Sequence, residues 1–78
     1  MNMPVNLNDQ ESYIAILWKL RKSHHMTQED VARVLGTSQT MYARYERGAN
    51  HLPIRHQITL SKYYGVSTDY MLGLQPKP

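Results

Sequence analysis

The 78-residue chain contains no cysteine. Neither a disulfide nor a thiolate metal site can stabilise it, and a reducing compartment suits it. No apolar run approaches the roughly 20 residues that cross a bilayer. The opening Met1-Asn2-Met3-Pro4-Val5-Asn6 lacks the basic start and apolar stretch of a signal peptide. A cytoplasmic protein with no membrane partner is the expectation. No stretch alternates apolar and polar residues for long enough to make a strand. His24, His25, His51 and His56 lack the helical spacing of metal ligands, and no carboxylate cluster joins them. No serine stands in a recognisable arrangement with a histidine and an acid, and there is no glycine-rich phosphate loop. No enzyme activity, metal or cofactor is expected.

What the chain does have is enough for one domain with one modest core. Its net charge of +3 is mild, but the distribution is informative. Between Arg33 and Arg55 stand Arg33, Arg44, Arg47 and Arg55 against a single acid, Glu46. Asp9, Glu11, Glu29 and Asp30 come earlier, where helix starts use acids. A basic second third leans towards an anionic partner.

The pattern is helical throughout, and five short helices are expected. The first should begin at Asn8 or Asp9, with Asn8 and Glu11 spaced as a capping box. It carries Ile14, Leu17, Trp18 and Leu20 inward, with Tyr13 at the margin. Thr27 with Asp30 caps a second helix, Met26 and Val31 have the spacing of a hydrophobic staple, and Gly36 ends it. Ser38 caps a third that runs to Arg47 and stops at Gly48. Pro53 suits the first turn of a fourth, with Ile54, Ile58, Leu60 and Tyr64 on its stripe and Gly65 at its end. Ser67 caps a last turn through Tyr70, Met71 and Leu72. Residues 1–8 read as a flexible N-terminus, 9–73 as the domain and 74–78 as a disordered tail.

The stretch from Gln28 to Arg47 has what a tight joint of two helices needs. Ala32 allows close approach, Gly36 turns the chain and Ser38 restarts it. With Val31, Leu35, Tyr42 and Tyr45 facing inward, the helix from Ser38 keeps an outer face of Gln39, Thr40, Ala43, Arg44 and Arg47. Such a face can reach base edges. Gln pairs with adenine, Arg with guanine, and a Thr methyl meets that of thymine.

Arg21, Thr27-Gln28-Glu29-Asp30-Val31-Ala32, Leu35-Gly36, Ser38-Gln39, Tyr45-Glu46-Arg47-Gly48 and Gly65-Val66-Ser67-x-Asp69-x-x-Leu72-Gly73 carry a resemblance. In order and spacing they resemble the Cro/phage-repressor-type, or xenobiotic-response-element, helix-turn-helix family, over about residues 12 to 73. The resemblance implies an all-α, compact five-helix bundle of the lambda-repressor-like type, with helices 2 and 3 as the helix-turn-helix. It implies a sequence-specific regulator of transcription, a repressor, binding a palindromic operator in double-stranded DNA as a homodimer. Gln39, Thr40 and Arg44 would read bases. Gln28, Ser38, Arg47 and Asn50 would hold the DNA backbone. Arg21 and Glu46 match a structural ion pair. An antitoxin or adapter of the same fold, with a protein such as a toxin as its main partner, is the alternative.

Two departures from the family pattern stand out. Tyr42 and Tyr45 occupy positions where aliphatic residues are usual, so each hydroxyl must reach water or a partner and one could extend to DNA. Thr37 replaces an aliphatic residue after Gly36, which could solvate that corner. Trp18 reads as core or core margin. Tyr63, Tyr70 and Met71 could form a homodimer seam or pack within the monomer.

Overall fold

Four of the five helices start where a short side-chain oxygen accepts an amide that the helix leaves unpaired. In the computed structural model, which describes residues 12–75, Ser12 does this for α1 (Tyr13–Ser23), accepting from the Ala15 amide. Thr27 caps α2 (Gln28–Leu35) through a reciprocal box. Its Oγ1 accepts from the Asp30 amide at 3.0 Å, and the Asp30 carboxylate accepts from the Thr27 amide at 2.9 Å. Ser38 caps α3 (Gln39–Arg47), and Ser67 caps α5 (Thr68–Met71). Only α4 (Ile54–Tyr64) opens without a side-chain cap, behind extended Pro53. The described residues are all helix, turn and loop, and none of these helices is long and apolar enough to cross a membrane.

The expected start of the first helix at Asn8 or Asp9, and its box with Glu11, lie outside the described residues, as do 76–78. The helical start that is described has Ser12 as its cap. At the other end, α1 closes on His25, which takes a left-handed φ of 56°. The His25 amide donates to the Lys22 carbonyl and the Met26 amide to that of Arg21, the pairing that glycine usually supports. Leu74 and Gln75 close the described chain. The Leu74 amide donates to the Asp69 carbonyl, and the Gln75 side chain accepts from Ser67.

The core gathers Ile16, Leu17 and Leu20 of α1, Val31 and Ala32 of α2, Tyr42 and Tyr45 of α3, Leu60 and Tyr64 of α4, and Leu52 and Met71. Two expectations about this core need correcting. Trp18 is 50 % exposed, because the buried side of α1 passes through Ile16, Leu17 and Leu20 and leaves position 18 outside. Ile54 and Ile58 are 71 % and 44 % exposed. The inward ladder runs one turn at a time through Leu52, His56, Leu60 and Tyr64 instead, so a histidine takes the place expected for isoleucine. Of the two readings open for Met71, its burial in the core matches packing within the monomer.

The joint between α2 and α3 is short. Gly36 adopts φ 69°, its amide and that of Thr37 close α2 on the Arg33 and Ala32 carbonyls, and α3 begins at Gln39, three residues after Gly36. Buried Ala32 lets the helices approach closely. At the far end of α3, Gly48 turns at φ 77° against Ile14 of α1. A Cβ there would stand 2.7 Å from the Ile14 terminal methyl.

Candidate nucleic-acid interface

Tyr42 and Tyr45 fix the rotation of α3, since both rings are buried beneath it. Gln39, Thr40, Arg44 and Arg47 are thereby turned to solvent on one helical side. Ser38 stands exposed at the helix start, its oxygen accepting from the Met41 amide at 3.0 Å. The Tyr42 side chain is fully buried, and its hydroxyl has a partner within the same helix. It donates to Glu46 Oε2 at 2.8 Å, one turn along the same helix. Thr37 is half-buried.

Glu46 is the hub beneath this face. Arg21 of α1 grips it with two hydrogen bonds, Nε to Oε2 at 2.7 Å and Nη2 to Oε1 at 3.0 Å, and its Nη1 donates to the Met26 carbonyl. Gln28 Nε2, at the start of α2, donates to Glu46 Oε1 at 3.1 Å. Each carboxylate oxygen thus accepts two hydrogen bonds, which fills the capacity of the group. Burial alone would raise the Glu46 pKa. The hydrogen bonds from Arg21, Tyr42 and Gln28, together with the Arg21 charge, outweigh it and hold Glu46 below the ordinary glutamate range. The hydrogen bond to Glu46 raises Arg21 in turn, against the cost of its burial. Burial, first of all, raises Tyr42 well above an ordinary phenol.

The network continues outward. Gln39 Nε2 donates to Gln28 Oε1 at 2.9 Å, linking the first residue of α3 to the first of α2. Beside this link an open groove of about 600 Å³ is lined by Lys22, Thr27, Gln28, Glu29 and Gln39, among others. Two further residues expected at the site come together at the other end of α3. Arg44 Nε donates to Asn50 Oδ1 at 2.7 Å, and the Arg44 side chain is exposed. Arg47 is exposed in the last turn.

The role of Gln28 as a bridge and that of Asn50 as the partner of Arg44 were missed in the sequence. Both depend on helix crossing and on a loop return, and spacing alone carries no sign of either. The pairing of Tyr42 with Glu46 was open to detection, because i, i+4 positions share a helix face.

The helix-turn-helix family pattern matches residues 19–71, which takes in α2, the turn, α3 and α4. The chain belongs to the Cro/C1-type helix-turn-helix family. This helix-turn-helix chain is 36 % identical over 66 residues to the uncharacterized HTH-type transcriptional regulator YobD of Bacillus subtilis, covering 85 % of this chain and 59 % of that protein. Among solved structures it is similar to a transcriptional regulator from Listeria innocua, with a TM-score of 0.78 and 25 % identity over 88 % of this chain and 64 % of that one. The chain therefore spans less than two thirds of the length of either relative.

Proposed function

We propose that this domain is a sequence-specific, double-stranded DNA-binding regulator of transcription that lays α3 in the major groove. The observation that carries the reading is the side of α3 left to solvent. It holds Gln39, Thr40 and Arg44, anchored from beneath by buried Tyr42, Tyr45 and Glu46. Gln39, Thr40 and Arg44 are the base readers. The Gln28 N–H that is not given to Glu46, and the Ser38 hydroxyl, whose proton remains free to donate, meet phosphate beside the start of α2. Arg47 and Asn50 follow the strand past the end of α3, with Asn50 also steadying Arg44. The single acid between Arg33 and Arg55 is hidden and neutralised by Arg21, so the charge this stretch offers to solvent is that of its arginines.

The regulator acts as a cytoplasmic repressor, occupying a palindromic operator as a homodimer whose reading helices lie about 34 Å apart. Exposed Ile54 and Ile58, one turn apart on the outer side of α4, are apolar surface available to a second copy. The direct test of DNA binding is affinity for duplex DNA across salt concentration. Phosphate contacts give a steep fall of affinity with salt, by roughly 0.9 log unit per log unit for each phosphate engaged. A flat, feeble response at all salt concentrations contradicts the proposal.

A further inference from the structure

We propose that Glu46 is a positioning residue for base recognition: its carboxylate sets the amide polarity of Gln28 and, through Gln28, that of Gln39. The inference rests on the DNA-reading role proposed for α3 and extends it to a buried residue that touches no base.

A carboxylate only accepts hydrogen bonds, whereas an amide end offers two donors on nitrogen and an acceptor on oxygen. Gln28 stands 3.1 Å from Glu46 Oε1. With its amide reversed, a carbonyl oxygen would face a negatively charged oxygen that has no proton to give. Gln28 therefore turns its nitrogen inward and its Oε1 outward. That Oε1 is an acceptor 2.9 Å from Gln39, so Gln39 must turn its own nitrogen towards it. Two amides in series are oriented by one charge. The charge is itself immobilised by the double grip of Arg21 and by the hydroxyl of Tyr42. Gln39, Tyr42 and Glu46 lie at i, i+3 and i+7 of α3, so the relay climbs one side of the reading helix.

The consequence lies at the tip. One Gln39 N–H is spent on Gln28, and what remains is one N–H together with an unoccupied Oε1. A donor beside an acceptor complements the adenine edge, where N7 accepts and the N6 amino group donates. Guanine presents two acceptors, N7 and O6, and sets O6 against Gln39 Oε1. Glu46 thus enforces preference for adenine over guanine from below the surface.

The test compares binding to duplexes that differ only by adenine or guanine at the base pair read by Gln39, that pair being identified by the preference that Gln39→Ala abolishes. In the native chain the ratio should be roughly tenfold or more. Glu46→Gln supplies both a donor and an acceptor at the hub, so Gln28 can take either orientation, and the ratio should fall below about threefold. Because Glu46→Gln also weakens the hold of Arg21, Gln28→Met is measured beside it. That substitution cuts the relay while leaving the Arg21–Glu46 pair in place, and it should lower the ratio similarly. A purely structural Glu46 would weaken all duplexes by one common factor and leave the ratio unchanged. Retention of the native ratio in either variant, folded by circular dichroism, overturns the inference while leaving base reading by Gln39 intact. Absence of any Gln39-dependent preference in the native chain overturns the base-reading proposal and this inference together.

Discussion

Arg21 and Glu46, 25 residues apart in the chain, meet through paired hydrogen bonds of 2.7 and 3.0 Å, with their side chains only 9 % and 5 % exposed. The pair ties α1 to the last turn of α3 and so sets the height of α3 over the core. A buried pair is sensitive chiefly to the loss of one member, which strands the other charge away from water. Arg21→Met should cost about 3–5 kcal/mol of stability, read from the midpoint of urea unfolding. A loss below about 1 kcal/mol would show that Glu46 finds other relief.

Acid should destabilise the fold in two windows. His56 is held below its ordinary 6.5, first by burial and then by the charge of Arg55. As pH falls below about 6.5, the unfolded chain takes up a proton that folded His56 resists, and stability drops. Glu46 contributes stability that is fully present above its ordinary 4.5 and is lost as pH falls through its lowered folded value. Thermal unfolding followed from pH 8 to pH 3 should show both declines. His56→Gln should flatten the upper one and Glu46→Gln the lower. Stability that rises on acidification through either window contradicts these assignments.

Two buried tyrosines should respond oppositely to loss of their hydroxyls. Tyr42→Phe removes a hydrogen bond to a carboxylate and should cost about 1.5–3 kcal/mol. The Tyr64 hydroxyl is buried with no hydrogen-bond partner among the described residues, and burial, before other causes, pushes it up to about 12. Tyr64→Phe should leave stability unchanged or raise it by about 1 kcal/mol, since an unmatched polar group is removed. Chemical denaturation of the two variants side by side checks the contrast.

Backbone handedness gives a third pair. His25 holds a left-handed φ that glycine adopts freely, so His25→Gly should stabilise by about 0.5–1 kcal/mol. Gly36 and Gly48 share that handedness, but a Cβ at Gly36 meets nothing within 4 Å, whereas at Gly48 it meets Ile14 at 2.7 Å. Gly48→Ala should therefore destabilise more than Gly36→Ala, measured as the difference in melting temperature. Equal losses would mean that Ile14 moves aside freely.

Local chemistry was legible in the sequence. Thr27, Ser38 and Ser67 announce helix starts, and Gly36, Gly48 and Gly65 their ends, because capping depends on one side chain and a few neighbours. Which face points inward was harder to read. Ile54 and Ile58 outrank His56 in hydrophobicity, yet the direction of α4 is set by packing against the other helices, and that places position 56 beside the Tyr45 ring at a centroid distance of 5.9 Å. Trp18 misled for the same reason. At the candidate site, residue types pointed to Gln39 and Arg44 through what they can bind. Their immediate partners, Gln28 and Asn50, follow from tertiary geometry and were out of reach of spacing.

The most direct measurement of the proposed DNA reading is a selection from random-sequence duplexes, run with the native chain, Gln39→Ala and Arg44→Ala. The expected result is a two-fold symmetric motif with half-sites about one helical turn apart. Each substitution should relax preference at its own base pair by about 1–3 kcal/mol and leave the rest of the motif standing. Failure to enrich any motif, or a motif unchanged by both substitutions, would contradict base reading by α3.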